Sequence, residues 1–312
     1  MNRASLLITA EVKLRSQSLG ELPNLAETCN ADTSLEMFRR MCRIRYFEFQ
    51  VAKFSSKGFI KCPVYLSIGQ ESIAASISTV MTGSYVFAQH RAHSVYLAFG
   101  GDTIKLIDEL LGLSSGCCGG MGGSPPIQDR NVKMIGHEGL IGEHIPIAVG
   151  AALGSGKEKV VCFFGDGAVE EDYIYGAIGF AATHKLPILF VCEDNDLSVL
   201  TPKRERRSWK IDEVARAMGI SSIDITDDPW LIRHYVEGFS NHLPAFFNIR
   251  TCRGLWHVGT GTDGPPEWNR FELVKSKLKD LGLINKAETI EQEIKESIES
   301  LWDERLQIQS AK

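Results

Sequence analysis

Val160-Val-Cys-Phe-Phe-Gly-Asp-Gly167 and Val191-Cys-Glu-Asp-Asn195 are the two stretches on which the reading of this 312-residue chain turns. The first is an apolar, strand-like run ending at Asp166. The second closes another such run, Pro187-Ile-Leu-Phe-Val-Cys192, at Asn195. Between them Glu170 to Thr183 reads as a helix rich in small residues. Strand, turn, helix, strand predicts a right-handed crossover between two parallel strands. Asp166 and Asn195 then emerge at the same carboxyl edge, where open α/β sheets take their ligands. A carboxylate and an amide oxygen at that edge suit a hard cation such as Mg²⁺, which keeps few protein ligands and fills its shell with phosphate and water oxygens. Gly165 and Gly167 leave the backbone open to close approach.

Composition narrows the function classes. A net charge of −5, with 44% hydrophobic and 23% charged residues, is that of an ordinary globular chain. It offers no basic footprint for nucleic acid or an anionic membrane. No window reaches the ~18–20 apolar residues that span a bilayer. The apolar patch at Leu6-Leu-Ile8 is soon broken by Glu11, a poor secretory signal. None of the eight cysteines forms a C-x-x-C pair, and Cys162 and Cys192 lie within apolar strands. That usage fits a reducing cytoplasm rather than a disulfide scaffold. The adjacent Cys117-Cys118 reads as part of a loop.

Residues 1–31 read as a flexible leader. From 32 to 312 the pattern is one doubly wound, mostly parallel α/β domain with a C-terminal helix. Thr33-Ser-Leu-Glu36 reads as a capping box opening a helix through Phe54. Further helices are expected over Ser72–Met81, Thr103–Leu113 and Glu143–Gly156, and strands over Tyr85–Ala88 and Ala245–Arg250. Gly112 to Pro126 is a glycine-dense loop. Pro202-Lys-Arg-Glu-Arg-Arg207 is a charged loop just beyond Asn195, either solvated or in contact with phosphate. Ile290, Ile294, Ile298, Leu301 and Trp302 mark an amphipathic C-terminal helix.

Gly165-Asp166-Gly167, then 27 residues (168–194), then Asn195 resembles the thiamine-diphosphate motif that begins Gly-Asp-Gly and ends Asn-Asn; the first Asn of that pair is Asp194 here. Ser67-Ile-Gly-Gln-Glu71, Gln89-His-Arg-Ala-His93, Gly120-Met-Gly-Gly-Ser124, Gly139-Leu-Ile-Gly142, Lys185-Leu-Pro187 and Thr251-Cys-Arg253 with His257 follow in order. Together they resemble the alpha subunit of the 2-oxo acid dehydrogenases (pyruvate, branched-chain and acetoin types). The resemblance covers about Thr33 to Asp263. It implies thiamine diphosphate and Mg²⁺, with Asp166, Asn195 and Leu197 on the metal. It places Arg91, Gly139, Ile141, Gly165, Asp166, Gly167, Ala168, Asn195 and His257 on the cofactor, and makes His257 and His93 catalytic. It implies a 2-oxo acid substrate, a separate beta subunit in an α₂β₂-type assembly, and a lipoyl acyltransferase as acceptor. The sequence departs from the family pattern at Tyr65, His90, Pro126, Glu170-Glu-Asp172, Gly176 and Trp256. Cofactor positions are kept while the substrate-facing shell has changed. A thiamine-dependent carboligase or acyl-transfer subunit of specialised biosynthesis, and a non-catalytic regulatory paralogue, therefore stay open beside the dehydrogenase.

Overall fold

A computed structural model describes residues 25–136 and 139–310. Its strands are β1 (Tyr85–Phe87), β2 (Met134–Ile135), β3 (Val160–Gly165), β4 (Ile188–Asp194), β5 (Leu197–Ser198), β6 (Thr201–Pro202), β7 (Ser221–Thr226) and β8 (Ala245–Arg250). Six of them form one parallel sheet in the order β2-β1-β3-β4-β8-β7, and β5 and β6 make a small antiparallel hairpin. Every residue of β4 is buried, as expected of a central parallel strand covered on both faces.

Side chains alternate between the two faces. Val161, Phe163, Leu189, Val191, Phe247 and Ile249 join one core; Val160, Cys162, Phe164, Ile188, Phe190 and Phe246 join the other. The helices are α1 (Leu25–Thr28), α2 (Ala31–Ser56), α3 (Glu71–Ile77), α4 (His93–Ala98), α5 (Thr103–Leu110), α6 (His144–Gly154), α7 (Asp172–His184), α8 (Lys203–Arg206), α9 (Ile211–Ala217), α10 (Pro229–Phe239), α11 (Arg270–Asp280) and α12 (Ile284–Ser310). On the first face α2 runs against α12, and Trp302 of α12 stacks on Phe54 at 5.1 Å and tilts against Phe47 at 5.8 Å. On the second lie α6, α7 and α9.

Several expected boundaries move. The N-cap of α2 is Asn30, whose side chain accepts from the Asp32 amide, so Thr33-Ser-Leu-Glu36 lies inside the helix and is not its capping box. The expected leader falls mostly outside the described residues; from Leu25 onward the chain is packed, with Ala26 buried. The helix expected from Glu170 starts at Asp172, because Ala168–Glu170 forms a 3₁₀ turn and Glu171 is extended. The Pro202–Arg207 loop contains a strand end and the single helical turn α8.

From β1 the chain goes first to β2 on one side, then to β3 on the other. The order therefore reverses between β1 and β3, and the segments leaving their carboxyl ends, Gln89–Arg91 and Asp166–Ala168, frame the crevice such sheets use for ligands.

Candidate active site at the strand-order switch point

Asp166 caps β3 and is 1% exposed. Its Oδ2 accepts from the Arg206 guanidinium, and its Oδ1 is buried without a partner. Burial, and then Asp194 close by, push the Asp166 carboxyl up to about 6, against the opposing pull of Arg206 and Lys203. Asn195 directly follows β4, the strand paired with β3. Its Nδ2 donates to Gln70 Oε1 at 2.9 Å and its Oδ1 accepts from the Leu197 amide at 3.2 Å. Gln70, buried at the start of α3, thereby fixes which way the amide faces.

The glycines flanking Asp166 have close side-chain neighbours. A Cβ on Gly165 would come within 3.0 Å of Gln89 Nε2, and one on Gly167 within 2.7 Å of Ser198 Oγ. The structure thus places Gln89 and Ser198 side chains, from the β1 end and from β5, over the turn. Ala168 is buried beneath it. Gly139 is in a positive-φ conformation (135°). Ile141 is 39% exposed, and its carbonyl accepts from the Tyr173 hydroxyl.

Arg91 lies under the loop that carries His257. Nη1 donates to Leu66 O at 2.8 Å and Nη2 to His257 O at 3.1 Å. Burial, and then Arg253, lower its guanidinium to about 10. Arg253 is committed to Asp263 through two bonds of 2.6 and 3.0 Å, so it anchors the loop. Burial, and then Arg91 and Arg253, push His257 down to about 4; its imidazole is neutral at neutral pH. The ring packs edge-on against Tyr65 at 5.3 Å and His90 at 5.0 Å. Both departures Tyr65 and His90 therefore share one wall with His257.

His93 is not where a catalytic residue would be. It is fully buried; Nδ1 meets Glu48 Oε2 at 2.9 Å and Nε2 meets Ser124 Oγ at 3.0 Å. Both ring nitrogens are engaged, leaving neither for a reacting group. Glu48 also accepts from the Ser67 amide, and Ser124 Oγ from the Tyr65 amide. His93 is thus a buried tie between α2, the segment before α3 and the glycine loop. Glu48, Gln70 and Arg206 were missed as site residues. Only the position of Gln70 in the Gly-Gln-Glu block could have signalled it, since the other two act through contacts distant in sequence.

Residues 39–234 match the family model described as "Dehydrogenase E1 component". The chain belongs to that family. It is 33% identical over 176 residues to the alpha subunit of acetoin:2,6-dichlorophenolindophenol oxidoreductase from Bacillus subtilis, covering 55% of this chain and 53% of that protein. It is 30% identical over 212 residues to the pyruvate dehydrogenase E1 component subunit alpha of Zymomonas mobilis, covering 65% and 60%. The matches therefore span a little over half the length of these relatives. A transketolase from Campylobacter jejuni superposes with a TM-score of 0.58 at 15% identity, over 91% of this chain and 48% of that one, which shows a shared fold.

Proposed function

We propose that the chain is the alpha subunit of a thiamine-diphosphate- and Mg²⁺-dependent enzyme of the 2-oxo acid dehydrogenase type, acting in the cytoplasm. Its reaction is decarboxylation of a 2-oxo acid and transfer of the acyl unit to a lipoyl acceptor, completed by a separate beta subunit. The observation that carries the reading is the pairing of a buried, half-satisfied Asp166 with Asn195 at the switch point. An unpaired carboxylate oxygen buried away from water is costly, and a cation would satisfy it. The donor set is all oxygen, as Mg²⁺ requires: Asp166, Asn195 and the main-chain carbonyl of Leu197.

Arg91 would hold diphosphate oxygens, and Gly165, Gly167, Ala168, Gly139 and Ile141 would hold the cofactor through the main chain. When bound, thiamine diphosphate supplies the nucleophilic carbon and the electron sink for decarboxylation. This chain's own contribution is to orient the cofactor, exclude water and present a neutral His257 as a hydrogen-bonding group for the reacting atoms. His93, through Ser124, positions the loop beside it.

A partner is supported by the outer face of α6 and α7. Ile147, Leu153 and Phe180 are 49%, 53% and 43% exposed, and a Cβ at Gly150, Gly154, Gly176 or Gly179 would meet nothing within 4 Å. Bare glycines between exposed apolar residues allow close approach of another helix.

The test is calorimetric titration of thiamine diphosphate and Mg²⁺ into wild type and Asp166→Ala, with the beta chain present. The variant should lose Mg²⁺-dependent binding, and Asn195→Ala should weaken it. Unchanged affinity in Asp166→Ala overturns the assignment.

A further inference from the structure

We propose that Arg206 is an internal latch on the cation site: its guanidinium holds Oδ2 of the Asp166 carboxylate and opposes a metal ion at the open Oδ1 until it swings away. The proposal rests on the assignment of Asp166 to a cation. Arg206 is a residue of the charged segment that follows Asn195, and its side chain is only 9% exposed. Nη2 donates to Asp166 Oδ2 and Nη1 to Glu170 Oε1, so one fork bridges the two carboxylates. Arg207 supports the same arrangement, donating from Nη1 to the Asp166 carbonyl and to Glu170, both at 2.6 Å. Lys203 takes Asp194 and does not reach the Asp166 carboxylate.

A buried ionised carboxylate needs a compensating charge. Arg206 supplies it here, and a planar fork suits the task better than an ammonium. A guanidinium on Oδ2 and a divalent cation on Oδ1 of one buried carboxylate repel each other, so each weakens the hold of the other. The segment bearing Arg206 is exposed at its tip. Val199 and Leu200, at the tip of the β5–β6 hairpin, are 52% and 64% exposed. Val199 sits at φ 53°, a left-handed conformation that a β-branched residue adopts only under strain. Arg204 and Glu205 are 79% and 61% exposed, so α8 is held mainly through Lys203, Arg206 and Arg207. Once released, Arg206 is free to meet the anionic groups a cation brings with it.

Mn²⁺ titration of the full chain, followed by electron paramagnetic resonance, tests this. If the latch is closed in about nine molecules of ten, removing it tightens apparent cation affinity by about tenfold. Arg206→Gln should therefore bind Mn²⁺ about tenfold more tightly than wild type. Arg204→Gln removes an equal charge one turn position away, exposed and screened, and should stay within about twofold. Arg206→Lys keeps the charge but cannot bridge both carboxylates, and should tighten binding to a lesser degree; it carries the test should Arg206→Gln fail to fold. In wild type, saturating Mn²⁺ should speed amide exchange over residues 199–209. Equal Mn²⁺ affinity in wild type and Arg206→Gln, or equal tightening in Arg204→Gln, overturns the latch and leaves the cation site standing. Absence of Mn²⁺ binding in all variants overturns the cation site, and the latch with it.

Discussion

Replacing Glu109 by Gln tests how the glycine loop 112–126 is held beside the site. Glu109 lies in the last turn of α5 and is 1% exposed. Its Oε2 accepts from the amides of Cys118 at 2.7 Å and Gly120 at 2.9 Å; its Oε1 accepts from those of Gly122 at 2.7 Å and Gly123 at 3.1 Å. The loop is wound around one carboxylate. Cys117 and Cys118 bring their sulfurs within 4.8 Å of it, yet its oxygens are already saturated by amides and are poorly placed to share a cation. Glutamine keeps one acceptor oxygen and turns the other into a donor facing two donors. Two bonds to a charged acceptor are lost, each worth about 1.5–3 kcal/mol, so the cost is about 3–6 kcal/mol. At roughly 2 °C per kcal/mol for a domain this large, the melting temperature should fall by about 6–12 °C. If the loop opens alone, the global loss is smaller, and amide exchange at Gly120, Gly122 and Gly123 accelerates instead. Either way Ser124 Oγ should no longer link the Tyr65 amide to His93. Urea unfolding and hydrogen exchange on the same variant cover both routes. A stability change below about 1 kcal/mol with unchanged loop protection would falsify the claim that Glu109 holds the loop.

Three further outcomes are expected. His257 should titrate by NMR with a midpoint near 4, and Arg91→Gln should raise that midpoint while burial keeps it below the ordinary value. The sign for stability follows. Between pH 6.5 and 4 the unfolded chain protonates His257 and the folded chain does not, so this group lowers stability as pH falls through that window; a His257→Asn variant should flatten that part of the curve. Gly150→Glu should leave the melting temperature of the isolated chain nearly unchanged, because a side chain there has room, while abolishing co-purification with a beta chain; retained assembly sinks the partner face. Glu48→Gln should destabilise the fold by about 1–3 kcal/mol by weakening its bonds to Ser67 and His93, read by urea unfolding, with wild-type stability as the contrary result.

What was legible in the sequence follows from how each element is buried. β3 and β4 run through the middle of a parallel sheet, so both faces must be apolar, and runs such as Val160–Phe164 and Ile188–Cys192 carry that signature locally. The crossover between them then dictates that Asp166 and Asn195 share an edge. β7 escaped the reading because it is an edge strand, and Ser221-Ser-Ile-Asp-Ile-Thr226 shows only weak alternation. β2 is two residues long and has no local pattern to display. α10 carries a helix start at Asp228-Pro229 and an amphipathic pattern that went unread, whereas α9 is only two turns long and α11 is mostly polar.

The site divides along the same line. Residues whose role comes from position at a strand end could be assigned from local pattern. Those whose role comes from a distant partner could not. His93 and His257 look alike in sequence, each a histidine within a short block that matches the family motif. What separates them is Glu48, 45 positions before His93, and Ser124, 31 after it, which together consume both nitrogens of one ring. The His257 ring has one long contact, Arg91 Nη2 at 3.5 Å from Nδ1, which leaves Nε2 without a protein partner among the described residues; its other surroundings are aromatic edges and Arg253. The same logic applies to Arg206. As one cation in a charged loop it reads as solvated, and only its contact with Asp166 forty positions earlier gives it a task. A buried carboxylate must find a positive charge in every state of the protein. Here Arg206 supplies that charge from within the chain, and under the proposed latch its competition with a cation would couple cofactor binding to the position of the segment beyond Asn195.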